Sequence, residues 1–362
     1  MYLYLIWGIL ALFSITEVTR LKISNQPKFY DWIYGIILAV SFLLSMLRWE
    51  NGTDWDPYYE YFNMVAIDPD YGYMEPGFTW LCHIDSQFMN YTWHLGVMAL
   101  LCILPIAKRV REFSPFPVFS LLIWFTVSFA HMFPVRQTIA ISLFVFSWKY
   151  IQERRLLPFL CLLALAATFH VTVLIALPIY FLWNRRIPAK LYILVIGVVF
   201  VISMVSSQVF ADLLHSVGGP LFEEKLEEYL ENSEETFGSA YSPMQALIRG
   251  CVNRSIYFFL PLLLLNKKRE SGTTMNAIFN MYFYSFVIFL MVTPLSVALG
   301  RLTVYTDMAQ LLLLPYVFTL RMNRANALLL VTVMLLYFFI RFKGVVFNYE
   351  DLYIPYNCVL FN

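Results

Sequence analysis

Several ionisable side chains stand inside long apolar stretches of the sequence, where a charge is costly and usually marks a functional site. The arginines of this set are Arg136, Arg249, Arg254 and Arg301. An arginine presents a planar fork of hydrogen-bond donors that matches the oxygens of a phosphate group. We therefore predict that these arginines bind an anionic ligand, with Arg136 and Arg301 best placed because each stands at a junction between helices. The alternative is that individual arginines extend to lipid headgroups or pair at helix ends.

A tyrosine and a histidine accompany these arginines. Tyr305 follows Arg301 by one helical turn on the same face, so we expect it to contact the same ligand. His170 stands in an apolar stretch, 156–183, that has a basic cluster at each end. We predict that His170 transfers a proton, and the alternative is a histidine with a purely structural partner.

Carboxylates and aromatic residues are mixed in the segment "RWENGTDWDPYYEYF", which runs from Arg48 to Phe62. Asp54 follows a turn signature, and Glu75 precedes the turn signature Pro76-Gly77, so both acids stand on shaped backbone. Aromatic faces and carboxylates that accept hydroxyl hydrogen bonds suit a sugar ligand. A carboxylate beside the reacting hydroxyl could serve as a general base. The alternative, a solvated acidic loop, is favoured for the neighbouring acids Asp56, Glu60, Asp68 and Asp70.

The composition indicates the class of fold that positions these residues. The chain has 362 residues, of which 60% are hydrophobic and only 14% are charged, whereas soluble domains carry about 25% charged residues. Apolar runs of about 20 residues, the length that crosses a bilayer, recur throughout the sequence. We predict an all-α, polytopic transmembrane bundle that forms one domain over 1–362, and we expect no nucleic-acid partner.

The distribution of charge orients the bundle. Most of the lysines and arginines fall in six short clusters, which the positive-inside rule places in the cytoplasm. Most of the acids fall in two longer segments, 48–87 and 209–245. Alternation of the spans then predicts that these two segments are outer loops.

Ten full spans are predicted from the apolar runs. They lie near 2–19, 31–47, 90–107, 116–133, 135–150, 191–209, 245–265, 276–297, 301–320 and 326–342. The stretch 156–183 is too short for two spans and has two basic ends, so we predict a re-entrant hairpin of two half-length helices that meet near Phe169-His170. The N-terminus and the tail 343–362 are then both outside.

The five cysteines are scattered and form no C-x-x-C motif. Neither a disulfide framework nor a zinc site is therefore predicted, and we expect no cofactor and no metal ion at the site.

Short motifs distributed along the chain resemble the EpsG family. "RWENGTDWDPYY" is similar to the segment after the second helix of these proteins. The motifs "EPGF", "PVRQTIAISLF", "ATFHVTVLIALPIYFL" and "DLYIPYNCVLF" follow in the expected order. The resemblance covers almost the whole chain. It adds Arg48, Tyr58 and Gln137 to the substrate-binding candidates, and supports Asp54, Glu75, Arg136 and His170.

The resemblance implies a Wzy-like polysaccharide polymerase, a metal-independent membrane glycosyltransferase with a fold similar to the GT-C class. Such enzymes join oligosaccharide repeat units carried on undecaprenyl pyrophosphate, which serves as donor and acceptor, at the outer face of the bacterial inner membrane. The products are O-antigen, capsule or exopolysaccharide. Membrane lipids, a flippase and a chain-length regulator are the partners that the resemblance implies. The catalytic candidates are then His170, Glu75 and Asp54.

Two other classes remain open. A flippase for lipid-linked oligosaccharide would need a path to both faces, whereas the charges here lie at one depth, and no paired inverted halves are visible. A membrane acyltransferase that modifies sugars would also use an intramembrane histidine, but a set of arginines is less expected there.

Overall fold

The computed structural model describes residues 2–19, 27–52, 54–68, 71–72, 74–129, 135–206, 208–218, 242–270, 272–348 and 350–361. The chain divides into two compact units. The first unit comprises Met1–Trp148, Ala164–His170 and Phe318–Asn362, and the second comprises Lys149–Leu163 and Val171–Val317. Within these described ranges all regular secondary structure is helical, which confirms the predicted all-α class.

The helices of the described residues are numbered in chain order. The first nine are α1 Tyr2–Thr19, α2 Pro27–Met46, α3 Trp55–Ile67, α4 Pro76–Phe88, α5 Tyr91–Phe113, α6 Pro117–Trp124, α7 Arg136–Gln152, α8 Leu156–Ala167 and α9 Ile179–Leu182. The remaining eight are α10 Ala189–Val205, α11 Gln208–Gly218, α12 Pro243–Leu265, α13 Thr274–Val292, α14 Val304–Asp307, α15 Gln310–Val317, α16 Arg324–Asn348 and α17 Glu350–Tyr353. A π-helix, Phe125–Phe129, continues α6.

Six of the described helices are long and apolar enough to cross a membrane. They are Tyr2–Thr19, Lys28–Met46, Tyr91–Phe113, Pro243–Lys268, Thr274–Val292 and Arg324–Phe347. Each corresponds to one of the ten predicted spans. The predicted spans 135–150 and 191–209 become helices of 17 residues, α7 and α10. The end of the predicted span 116–133 lies outside the described residues.

The predicted helix 301–320 is broken into three pieces. A 3₁₀-helix, Ala298–Thr303, is followed by α14 and, after two turn residues, by α15. Threonine hydroxyls lie close to the backbone here: Thr303 Oγ1 is 2.9 Å from Gly300 O, and Thr306 Oγ1 donates to Thr303 O at 3.3 Å. Such local bonds compete with regular helical hydrogen bonding. The apolar pattern alone did not reveal the break.

The chain reverses at the position predicted for the hairpin. Helix α8 ends at Ala167, and a 3₁₀-helix, Val171–Ala176, and the short α9 follow the break. The two arms meet again at their far ends, where Tyr180 OH donates to Arg154 O at 2.9 Å and the Phe159 and Tyr180 rings stack at 5.4 Å. The predicted pair of short helices is thus confirmed, and its re-entrant depth stays a prediction.

The segment 48–87, predicted as an outer loop, contains most of two helices, α3 and α4. Residues Trp55, Phe62 and Val65 of α3 are buried at helical spacing, and Pro76 occupies the first position of α4, where proline is favoured. The spacing of these apolar residues and the position of the proline are both visible in the sequence. Of the second predicted outer loop, 209–245, residues 219–241 lie outside the described part of the chain.

Candidate functional site

The start of α4 is fixed against the break that follows α8. Gly77 N donates to Thr168 O at 2.9 Å. A Cβ on Gly77 would lie 2.2 Å from Thr168 Oγ1 and 2.9 Å from Thr168 O, so only glycine allows this approach. The contact brings the "EPGF" motif beside the segment 168–170, two regions that the sequence predicted to face the same side.

Gly77→Ala is expected to destabilise the first unit by about 1–3 kcal/mol, because backbone must move to admit the methyl group. Adding Thr168→Ala removes the hydroxyl but should not restore stability, since Thr168 O remains in the way. The melting temperature of the purified protein measures the effect. Gly35→Ala is the matched control, because nothing lies within 4 Å of a Cβ on Gly35. An unchanged melting temperature for Gly77→Ala would contradict this packing.

Three residues from separate motifs meet at this point and are called the Glu75–Arg136–Tyr58 cluster. Arg136 Nη1 forms an ion pair with Glu75 Oε2. Arg136 Nε donates to Tyr58 OH at 3.1 Å. The side chains of Arg136 and Glu75 are 25% and 13% exposed, so the pair is sheltered but accessible. Arg136, which was predicted to bind an anion, and Glu75, which was predicted as a general base, are therefore partners.

Local structure favours negative charge at the cluster. Arg136 is the first residue of α7 and Glu75 is the N-cap of α4, so both stand at positive helix ends. Burial raises the pKa of the Tyr58 hydroxyl, and the Arg136 charge opposes this shift only in part. Tyr58 is therefore neutral at physiological pH and keeps its hydrogen. The cluster can donate hydrogen bonds to an anion and accept one from a hydroxyl.

The other catalytic candidates in the first unit have different surroundings. His170 is half-buried at the end of the break, and its backbone N donates to Ala166 O at 3.0 Å. Asp54 is exposed and precedes α3, where its carbonyl accepts from Tyr58 N at 3.3 Å. Gln137 is half-buried and follows Arg136 in α7. Thus Gly77 links His170 to the cluster through Thr168, and Asp54 lies one turn before Tyr58.

Arg48, predicted to bind substrate, is only 3% exposed. Its Nη1 donates to Asn51 O at 3.2 Å, and its backbone pairs with Cys358 in an isolated antiparallel bridge. Burial lowers the pKa of the Arg48 guanidinium. This position favours a structural role for Arg48 in the corner between α2 and α3.

A buried arrangement that sequence analysis missed anchors α4 to α5. His94 Nδ1 lies 2.7 Å from Asp85 Oδ2, and His94 Nε2 lies 3.7 Å from Cys82 Sγ. All three side chains are buried. Burial raises the pKa of the Cys82 thiol, so the thiol is not activated as a nucleophile. The arrangement holds α4, the helix whose N-cap is Glu75.

In the second unit, Arg254 is engaged within the protein. Both of its terminal nitrogens bond to the carboxylate of Asp307, with Nη2–Oδ2 at 2.6 Å. Thr303 and Ser285 also donate to Asp307, and the Arg254 guanidinium lies over the Phe289 ring at 4.3 Å. The network joins α12, α13 and α14. It favours a structural role for Arg254 rather than the predicted contact with substrate.

Arg254→Ala is expected to destabilise the second unit by up to about 3 kcal/mol, because it leaves the Asp307 carboxylate sheltered without its cation. The pair is 12% and 17% exposed, which places the effect at the lower end for buried pairs. The double variant Arg254→Met with Asp307→Leu should recover most of the stability in a thermal melt. If Arg254 instead bound substrate, the single variant would fold normally and lose activity.

The remaining candidates of the second unit differ in how exposed their side chains are. Tyr305 is fully buried, and its hydroxyl lies 2.7 Å from Thr172 Oγ1. Arg301, in the 3₁₀-helix, and Arg249, in α12, are exposed. Arg301 and Tyr305 therefore differ in exposure. Tyr305 is better explained as a packing residue, whereas both arginines can reach a ligand.

No curated protein and no solved structure matches the chain. The sequence model of the EpsG family matches residues 31–358, which include α3, α4, α7 and the break at 168–170. The residues that the structure brings together, Tyr58, Glu75, Gly77 and Arg136, lie in three of the motifs that carried the resemblance. The chain belongs to the EpsG family, a family of Wzy-like polysaccharide polymerases.

Proposed function

We propose that the protein is a glycosyltransferase that joins undecaprenyl-pyrophosphate-linked oligosaccharide repeat units into a surface polysaccharide. The reaction takes place at the outer face of the bacterial inner membrane. The Glu75–Arg136–Tyr58 cluster is the observation that carries this proposal, because it combines a cation for a pyrophosphate with a carboxylate for a hydroxyl. Membership of the family and six helices able to cross a membrane support it.

Arg136 binds the pyrophosphate of the donor. Its guanidinium already holds Glu75 and Tyr58 in a fixed geometry, so little reorganisation accompanies binding. The start of α7 adds the positive end of a helix dipole. As the bond between the anomeric carbon and the pyrophosphate oxygen breaks, its electron pair passes to the leaving group, and Arg136 stabilises the charge that develops there.

The acceptor hydroxyl attacks the anomeric carbon of the donor, and its oxygen forms the new glycosidic bond. The ion pair with Arg136 uses Glu75 Oε2, and we assign Glu75 Oε1 as the atom that takes the hydroxyl proton. His170 and Asp54 are the other candidates for this base. The transition state is oxocarbenium-like, as in other glycosyl transfers. Two lipid-linked substrates held side by side gain rate through orientation.

The surface polysaccharide of a deletion strain tests this function against the two other classes. We expect single lipid-linked repeat units to accumulate on the outer leaflet, with a ladder of longer chains absent from a gel and restored by the wild-type gene. Accumulation on the inner leaflet would instead show a flippase. Full-length polymer that lacks only acyl groups would show an acyltransferase.

A further inference from the structure

The C-terminal segment 350–361 is bound along the corner that connects α2 to α3. Three backbone hydrogen bonds join the two segments: Trp49 N to Asn357 O at 2.9 Å, Gly52 N to Leu352 O at 3.0 Å and Val359 N to Leu47 O at 3.0 Å. A tyrosine side chain adds a fourth, from Tyr356 OH to Leu44 O at 2.8 Å. Residues separated by about 300 positions in sequence thus form one structure.

The side chain of Asn51 joins the corner to the C-terminal segment. Its Nδ2 donates to Leu352 O at 3.3 Å and to Pro355 O at 3.2 Å, and its Oδ1 accepts from Asn357 N at 2.8 Å. The residue is only 2% exposed. An amide is the side chain of this size that both donates and accepts, so neither aspartate nor leucine can replace it.

The corner itself has an unfavourable backbone. Glu50 has a φ of 52° and Gly52 a φ of 103°, both in the left-handed region. A residue other than glycine pays about 1–2 kcal/mol for this conformation. It persists only where surrounding contacts enforce it. The hydrogen bonds of Trp49, Asn51 and Gly52 to the C-terminal segment provide such contacts.

The corner contacts the first turn of α3, which carries Tyr58. The Trp49 and Trp55 rings are 4.9 Å apart, and Trp55 stacks on Tyr59 at 4.8 Å. Trp55 is buried, so movement of Trp49 must be transmitted to this turn. Tyr58 belongs to the same turn and accepts from Arg136 Nε. A continuous series of contacts thus leads from Asn51 to the cluster.

We propose that Asn51 and the C-terminal segment 350–361 are positioning elements of the polymerase site, which act by setting the place of Tyr58 beside Arg136. The inference rests on the proposed function. Asn51 is assigned as a positioning residue because its side chain is almost fully buried and bonds to the C-terminal segment.

A double-mutant cycle on chain extension by the purified full-length protein tests this role. In Asn51→Asp, a carboxylate faces the carbonyl oxygens of Leu352 and Pro355. The rate per folded protein should fall by about 10–10²-fold, as expected when a site group is displaced by an ångström. In a Tyr58→Phe background the same change should cost less than about twofold, since the hydroxyl it positions is absent. Asn63→Asp adds the same charge on an exposed face of α3 and should retain the wild-type rate.

Tyr356→Phe is the milder second variant, because it removes only the bond to Leu44 O. If Asn51→Asp yields no folded protein, the same cycle is measured with Tyr356→Phe. The rate of chain extension should then fall several-fold in the wild-type background and stay unchanged in the Tyr58→Phe background. The inference would be overturned if the loss from either variant were the same in the Tyr58→Phe background as in the wild-type background. It would also be overturned if Asn51→Asp and Tyr356→Phe both kept the wild-type rate. A wild-type protein that extends no chains would overturn the proposed function instead.

Discussion

Arg136→Lys is expected to lower the rate of chain extension by about 10²–10³-fold, the usual effect of removing a charge-stabilising donor from an active site. Arg136 uses Nε for Tyr58 and Nη1 for Glu75. A lysine keeps the positive charge but has one ammonium group, which cannot hold Tyr58 and Glu75 in this planar geometry and bind a pyrophosphate oxygen at the same time. The length distribution of the polysaccharide on a gel, with the amount of protein in the membrane, measures the effect.

Arg111→Lys is the control for this substitution. Arg111 also pairs with a carboxylate, Asp31 at 2.9 Å, but both side chains are about half exposed. Exposed pairs contribute little, so this variant should make normal polymer. If Arg136→Lys also made near-normal polymer, any positive charge would suffice at this position, and Arg136 would lose its assigned role as the ligand of the pyrophosphate.

Glu75→Gln should block extension, with a loss of about 10²–10⁴-fold, the usual contribution of a general base. Glutamine keeps the shape of the side chain and can still accept a hydrogen bond from Arg136, but it cannot take the proton. The protein should therefore reach its normal level and yield only single-repeat products. His170→Ala is measured in parallel as the second candidate. Long polymer from both variants at normal protein levels would move the assignment to Asp54, with Asp54→Asn as the next measurement.

A charge exchange separates chemistry from stability at the same pair. Glu75→Arg combined with Arg136→Glu keeps an ion pair but exchanges the positions of the cation and the carboxylate. We expect normal protein levels and no polymer. Restored polymer would show that the pair only stabilises the fold.

Local patterns predicted most of the helices, because apolar runs and basic clusters are read from adjacent residues. The break near Phe169-His170 was also visible, since a 28-residue stretch with two basic ends cannot form two spans. The helices α3 and α4 were not predicted, because the acids and turn signatures around them are typical of a loop and obscure the helical spacing of Trp55, Phe62 and Val65.

Side-chain partners could not be predicted in the same way. Glu75 and Arg136 are 61 positions apart, and Arg254 and Asp307 are 53 apart, so no periodicity connects them. Both arginines have the same sequence signal, a charge in an apolar stretch. Only the fold distinguishes Arg136, which remains accessible, from Arg254, whose guanidinium is held by a carboxylate and two hydroxyls. The sequence does contain one indication of a structural role for Arg254: an acid, Asp307, that also stands in an apolar stretch and could pair with it.

Polymerisation by the purified protein in liposomes tests the proposed function. The protein is given undecaprenyl-pyrophosphate-linked repeat units as the only sugar source. We expect a ladder of lengthening chains, with one undecaprenyl pyrophosphate released for each unit added and no ladder from Arg136→Lys. If folded wild-type protein leaves the single repeat units unchanged, the protein is not this polymerase.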